Sequence, residues 1–416
     1  MNSPYLLKTG MLQTMIPYGK HYLDEDDIAA VTEVLRSGWI TQGPKIPELE
    51  SVVASYVESK FAVAVSSGTT ALHLAYLAAG LDAESKVVTS NNTFVASANC
   101  VRYGGGTPIF CDIDPHTLNL SPDCFEEIVR NEPNINGVIP VHFGGVPCDM
   151  EAISELAKKN GISVIEDASH AFGATYRDGS KVGNCKFSVM TVFSLHPVKG
   201  VTAGEGGIIT TNSEEIYDHL LSLRSHGICK GNFDIPGISE PGDDLIYQEE
   251  AIEDGKLNPW YYEMQELGYN YRITDIQCAL VLSQLNKLDR FLERRREIAN
   301  LYDNLLEGVK HLTLTQTGSR EFSSNHIYVI RIDYQAIGKS RAQVMRLLSA
   351  KGIGTQVHYI PVTRHPYYNN LGYDSSHYPE SEKYYRQALT IPLYYGLTNE
   401  EVEDVVISLK EVLTQN

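Results

Sequence analysis

From Phe61 onward the chain alternates short apolar runs with segments of helical periodicity: FAVAV then ALHLAYLAA, KVVTS then FVASANCVRY, TPIFCDI, NGVIPVHF then MEAISELAKKN, ISVIED, VMTVFSL, and EGGIITT then SEEIYDHLLSLRS. Apolar runs of about four to eight residues set between amphipathic helices predict a parallel or mostly parallel sheet buried on both faces. Upstream, the segment Asp24 to Arg36 opens with a run of acids and carries Ile28, Val31, Val34 and Leu35 at helical spacing, with Gly38 placed to end it. That pattern predicts a surface helix packed by one face. The alternation breaks between Gly231 and Gly255, where Gly, Pro, Asp and Glu gather without Lys or Arg, as in an acidic loop or flap. After Ile273 a long helical stretch, 274–306, leads into a second region. There strands are expected near His326–Asp333 and Gly354–Tyr359, and helices near Arg341–Lys351, Ser381–Leu389 and Thr398–Leu413. Thr398 and Glu401 stand in capping-box spacing at the start of the last. The organisation expected is a leader over 1–14, a large domain over 15–285 with an acidic insertion at 231–255, and a smaller C-terminal α+β domain over 286–416.

Charge narrows the function. The 416 residues include 34 Lys+Arg against 52 Asp+Glu, a formal net charge of −18. Such a surface repels a polyanion, which argues against nucleic acid as a partner. Small anions remain possible, because their sites are built from backbone N–H groups and a few placed side chains. The cysteines (Cys100, Cys111, Cys124, Cys148, Cys185, Cys229, Cys278) stand singly with no C-x-x-C pair, so neither a metal site nor a disulfide framework is indicated and a reducing compartment is expected. No apolar run approaches the roughly 20 residues of a membrane span, and the N-terminus lacks a signal-peptide core. A cytoplasmic protein without membrane contact is the expectation.

Three places could carry chemistry. The turn Ser66-Ser67-Gly68-Thr69-Thr70, between the strand Phe61–Val65 and a helix expected near Ala71, offers unpaired N–H groups, a glycine and several hydroxyls. It is a phosphate cup or a well-capped helix start. Glu166-Asp167 ends the run ISVI and precedes Ser169 and His170. An acid at a carboxyl strand end faces a ligand crevice in an open α/β sheet, where a protonated ring nitrogen is a suitable partner. Lys199, in FSLHPVKG before Glu205-Gly206-Gly207, closes a strand among apolar neighbours that can desolvate its amine into a nucleophile. Phosphate cup, acid and lysine in this order are the three holds that pyridoxal phosphate requires, on its phosphate, ring nitrogen and aldehyde.

With those holds in place, the motifs SSGTTAL (66–72), TFVASAN (93–99), EDASHAFGA (166–174), FSLHPVKG (193–200), EGG (205–207), RSHG (224–227) and GYNYRITDIQCAL (268–280) resemble the DegT/DnrJ/EryC1/StrS sugar-nucleotide aminotransferases. The resemblance runs from about Ile16 to the C-terminus. It implies the fold type I of pyridoxal-phosphate enzymes, an α/β fold with a mostly parallel central sheet in the large domain, and pyridoxal 5′-phosphate as cofactor. It makes Lys199 the lysine that bonds the cofactor and Asp167 the partner of its ring nitrogen. Gly68, Thr69 and Ser194 would hold the phosphate, Phe94 would stack on the ring, and His170 would pack near it or serve as a structural histidine. Asn270 matches an asparagine that reaches the phosphate of a neighbouring subunit, which implies a homodimer with shared active sites.

The segments WITQGP (39–44), SSNHIY (323–328) and TQVHYIP (355–361) resemble the branch of the family that serves pseudaminic acid biosynthesis. Tyr18, Gly38, Trp39, Ile40, Thr41, His358, Tyr359, Ile360 and Pro361, with Gly68, Ser194 and Asn270, would then line a pocket for a UDP-sugar. L-glutamate is the implied amino donor, leaving as 2-oxoglutarate, and a 4-keto sugar the acceptor. Arg224, Arg272 and Arg331 are all candidates to clamp the donor carboxylate. Relatives that instead remove a sugar hydroxyl carry histidine in place of Lys199, and a regulatory homologue would have lost Lys199 or Asp167; both are present.

Overall fold

The computed structural model describes residues 15–229, 248–254 and 256–414. The expected leader over 1–14 and most of the acidic insertion, 230–247 and 255, lie outside the described residues.

Helix α1 (Glu25–Arg36) starts at a reciprocal capping box between Asp24 and Asp27, so its leading acids satisfy free N–H groups and the helix dipole together. Helix α2 (Lys45–Val57) follows, with Ile46, Leu49, Val53 and Val57 buried, a helical spacing that the sequence carried without being read. Strands β1 (Phe61–Val65), β2 (Lys86–Ser90), β3 (Thr107–Cys111), β4 (Ile135–Ile139), β5 (Ser163–Asp167), β6 (Met190–Ser194) and β7 (Gly207–Thr211) form one seven-stranded sheet in the order β1-β7-β6-β5-β4-β2-β3. Only β7 runs antiparallel to its neighbours β1 and β6. Val63, Val65, Val87, Val88, Val138 and Val192 are fully buried, as a sheet covered on both faces requires. Burial of each such side chain contributes about 1.5–3 kcal/mol. The cover comes from α3 (Gly68–Ala78), α4 (Ala96–Tyr103), α5 (Pro122–Asn131), α6 (Met150–Lys159) and α7 (Glu214–Arg224).

Two-residue strands follow: β8 (Ile228–Cys229), β9 (Ile252–Glu253), β10 (Lys256–Leu257) and β11 (Glu263–Met264), with the one-turn helix α8 (Gln248–Ala251). The single helix expected over 274–306 is two, α9 (Asp275–Leu285) and α10 (Leu288–Leu306). The break falls at Lys287, whose ammonium turns to Asp24 and Asp27 and so ties the joint to α1. Helix α10 spans two cores. Leu288 and Leu292 pack beneath the large sheet, while Ile298, Tyr302 and Leu306 belong to a second core with Leu348, Val405 and Leu409.

That second core covers an antiparallel sheet of β12 (Leu312–Leu314), β13 (Tyr328–Ile332) and β14 (Ala388–Ile391). It is flanked by α11 (Arg341–Ala350), the short α12 (Pro366–Asn370), α13 (Pro379–Gln387) and α14 (Asn399–Thr414). Two expectations are corrected. The helix ends at Gln387, and Ala388–Ile391 is strand β14, because its buried residues pair with β13 in register. Gly354–Tyr359 is not a strand. Only Gln356 pairs, in an isolated bridge to Thr390, and the chain then turns into the site described next. The Thr398–Glu401 capping box forms as expected.

Candidate active site

The carboxyl ends of β1, β5 and β6 open on one cavity of about 670 Å³. At the end of β1, Ser67 caps α3 through a reciprocal box with Thr70, so the helix begins at Gly68 and not at Ala71. The N–H groups of Gly68 and Thr69, for which the helix has no carbonyl, point with the helix dipole to the cavity. Two glycines make this geometry possible. A Cβ on Gly68 would stand 2.9 Å from Ser194 Cβ, and one on Gly207 would stand 2.4 Å from the Ser67 carbonyl oxygen. The cup is therefore assembled from the turn after β1, the end of β6 and the start of β7.

At the end of β5, Glu166 and Asp167 point to opposite faces, as strand geometry dictates. Glu166 is fully buried away from the cavity. It accepts from His142 Nε2 (2.9 Å), Tyr176 (2.6 Å) and Ser188 (2.6 Å). Burial would raise its carboxyl pKa, but these donors hold it below the usual carboxylate range. His142 Nδ1 accepts the N–H of Cys148 at 3.0 Å, so Nε2 carries the ring proton. Asp167 lines the cavity. Its Oδ2 accepts from Ser97 Oγ at 2.7 Å, and its Oδ1 from the Ser169 N–H at 3.0 Å.

After β6 the loop 195–206 is tied back by Leu195 N–H to Gly206 and Ala203 N–H to Leu195. A turn from Lys199 N–H to His196 O (2.8 Å) sets the Lys199 side chain in the cavity. Burial pushes its amine down to about 8, against the opposing pull of Asp167. The amine is then free in roughly a tenth of molecules at pH 7.

Phe94 presents its ring to the cavity, 6.0 Å from Tyr359. His170 accepts the Gly144 N–H on Nδ1 (3.2 Å), so its Nε2–H meets the Tyr359 hydroxyl at 3.1 Å. Burial and the nearby charge of Lys199 keep this ring neutral, far below its ordinary pKa. His358 bonds Thr390 at 2.8 Å, and burial, with Lys199, pushes it down to about 4. Tyr18 arrives from the N-terminal end, pinned by the Ile16–Ile353 bridge and by Leu393 N–H to its carbonyl (3.1 Å), with its ring 5.6 Å from His358.

One cavity thus collects Tyr18, Gly68, Thr69, Phe94, Asp167, His170, Ser194, Lys199, His358, Tyr359 and Ile360. Pro361 is buried just beyond the lining. Gly38, Trp39, Ile40 and Thr41 do not reach it; this stretch is exposed, and Gln42 and Gly43 fasten it to Ile273 and Asp275. Asn270 is likewise exposed, paired with Ser225 beside the turn after β1. None of the three candidate arginines lines the cavity. Arg224 is paired with Glu50 and the Ala64 carbonyl, Arg331 binds Gln387, and Arg272 lies alongside Val65. Among the described residues the lining holds His170, His196, His326, His358 and His365 and no arginine. Ser97, Thr93 and His326 were missed as site residues, although each stood inside a recognised motif; their roles depend on neighbours far away in sequence.

The sequence pattern of the DegT/DnrJ/EryC1/StrS aminotransferase family matches residues 21–410. The chain belongs to this family. It is 36% identical over 402 residues, 96% of this chain and 97% of the relative, to the spore coat polysaccharide biosynthesis protein SpsC of Bacillus subtilis. Among solved structures it resembles PseC of Helicobacter pylori, an aminotransferase involved in the biosynthesis of pseudoaminic acid, with a TM-score of 0.85, 27% identity and coverage of 96% of this chain and 99% of that one. Spr1654 of Streptococcus pneumoniae, assigned as a sugar aminotransferase and solved in pyridoxal and pyridoxamine phosphate forms, gives TM-scores of 0.83 and 0.84 at 28% and 29% identity, covering 96% of this chain and 98–99% of the matched chains.

The family depends on pyridoxal phosphate, and the fold is its type I. The residues present fit that cofactor. The helix end and Ser194 form a cradle that a Cβ on Gly68 would crowd, a desolvated amine stands at Lys199, and a carboxylate with both oxygens held faces the space between them.

Proposed function

We propose that this sugar aminotransferase moves the amino group of L-glutamate to C4 of a UDP-linked 2-acetamido-2,6-dideoxy-4-hexulose of β-L-arabino configuration, a step of pseudaminic acid biosynthesis. The observation that carries the reading is the convergence of helix end, carboxylate and desolvated lysine on one cavity. Bound pyridoxal phosphate supplies an aldehyde that takes up an amine and a ring that accepts an electron pair.

The chain's own residues do the rest. Gly68, Thr69 and Ser194 would hold the phosphate, and Phe94 would stack on the ring. Asp167 holds the proton on the ring nitrogen. Lys199 Nζ anchors the cofactor, then as a free amine takes the proton from the donor Cα and later gives one back to C4 of the sugar. His170 holds the Tyr359 hydroxyl at the cavity wall beside Tyr18 and His358, where aromatic faces suit a pyranose and a uracil. The exposed stretch Gly38–Thr41 and Asn270 complete the pocket of a second copy in a homodimer, so that each site draws on both chains.

The choice of sugar rests on the likeness to PseC and on the segments WITQGP, SSNHIY and TQVHYIP. A second reading, an aminotransferase for another nucleotide sugar, draws on the higher identity to SpsC. Competition between the L-arabino and D-xylo 4-keto epimers of the UDP sugar, with glutamate as donor, separates them. A kcat/KM preference for the L-arabino epimer is expected. Preference for the D-xylo epimer, or for a dTDP sugar, would transfer the protein to the second reading.

A further inference from the structure

Asp167 faces the cavity with no arginine or lysine within ion-pair distance among the described residues. The groups that hydrogen-bond it are neutral donors. Ser97, fully buried, donates its only hydroxyl proton to Oδ2 at 2.7 Å, because a carboxylate can only accept. Thr93, 2% exposed, lies 2.9 Å from the same Ser97 oxygen and so must donate to it. The chain of donors runs Thr93 to Ser97 to Asp167. The Ser169 N–H holds the second carboxylate oxygen.

We propose that Ser97, supported by Thr93, is a positioning residue that fixes the Asp167 carboxylate toward the cofactor's ring nitrogen, so that the shared proton stays on that nitrogen. This rests on Asp167 being the partner of that nitrogen. A hydrogen bond donated to a carboxylate stabilises its charged form without neutralising it, which an arginine in the same place would do. Without Ser97 the carboxylate loses its anchor on Oδ2, no longer meets the ring nitrogen squarely, and leaves the ring a poorer electron acceptor. The local sequence makes one turn do two tasks. Thr93 and Ser97 are four residues apart on the turn that enters α4, and Phe94 between them presents its ring to the cavity.

The test compares purified holoenzymes of the wild type, Ser97→Ala, Ser97→Thr, Thr93→Val and Asp167→Ala by pH titration of the visible absorption of the lysine-bound cofactor, by dissociation constant for pyridoxal phosphate, and by thermal unfolding without cofactor. Ser97→Ala should move the titration midpoint upward by about one pH unit and weaken cofactor binding about tenfold, the scale of one charge-assisted hydrogen bond. Thr93→Val should move it the same way by less, and Ser97→Thr, which keeps the hydroxyl, should stay near the wild type. A Ser97→Ala protein that is less stable yet titrates like the wild type, while Asp167→Ala loses the band or shifts strongly, overturns the proposal alone. Should Ser97→Ala fail to fold, an unmoved midpoint in Thr93→Val overturns it equally. An unchanged spectrum in Asp167→Ala would instead sink the reading beneath it.

Discussion

The two walls of the cavity are built differently. The wall formed by the ends of β1, β5 and β6 belongs to one sheet, its Asp167 carboxylate is held on both oxygens, and Gly68 and Gly207 are fixed by the close approach of Ser194 and of the Ser67 backbone. The opposite wall comes from the two ends of the chain, Tyr18 and 356–361. The residues expected to complete it are still in water, with Trp39 63% and Ile40 49% exposed. Trp260 and Leu267, on the segment that leads to Asn270, are 65% and 76% exposed. The difference teaches that Gly68, Asp167 and Lys199 are brought together within one chain, whereas Gly38–Thr41 and Asn270, expected at the same site, stay outside its cavity.

The strongest attack on the first wall is Lys199→Ala. Turnover should fall by at least about 10³-fold, the upper range for removing a general acid–base group, and the lysine-bound absorption band should vanish while thermal unfolding stays cooperative. Retained activity would show that another amine anchors the cofactor. Gly68→Ala should follow, since its Cβ would crowd Ser194 at 2.9 Å. Cofactor affinity should drop roughly tenfold or more with the loss of cup hydrogen bonds, read from equilibrium dialysis, and an unaltered constant would mean that the phosphate sits elsewhere.

The opposite wall is tested by complementation. Lys199→Ala and Asn270→Ala chains, each impaired alone, should regain activity once mixed after mild dissociation, because one site of the hybrid carries both native residues. Verified hybrids that stay inactive would speak against sharing. A gentler probe returns to Lys199. Its amine pKa is lowered to about 8, so the group is protonated below that pH and free above it. Cofactor recapture by the apoprotein should therefore rise with pH and level off above about 8, measured by stopped-flow absorbance. A midpoint near the ordinary lysine value of about 10.4 would mean that the amine is not desolvated. The smallest effect belongs to Trp39→Ala, which should raise KM for the nucleotide sugar a fewfold with kcat nearly unchanged, the pattern of lost uniform binding.

The strands FAVAV, KVVTS, TPIFC and ISVIED were legible because a strand buried on both faces needs an unbroken apolar run. The meeting of Gly68, Asp167 and Lys199 in one cavity was legible because each follows such a run, and carboxyl strand ends of an open α/β sheet share one crevice. Segments whose state depends on distant partners were not. The break at Lys287 exists only because Asp24 and Asp27 reach it, and β14 only because β13 lies alongside. The clamp of Ser97 on Asp167 joins residues 70 positions apart, and the idle pairing of Arg224 with Glu50 spans 174. Sequence by itself determined the mostly parallel sheet, the strand ends that carry Gly68, Asp167 and Lys199, and the family. Which hydroxyl serves the carboxylate, which arginines are already taken and which predicted residues stay outside the cavity were decided by tertiary structure, since hydrogen bonds and ion pairs act over a few ångströms in space whatever their separation along the chain.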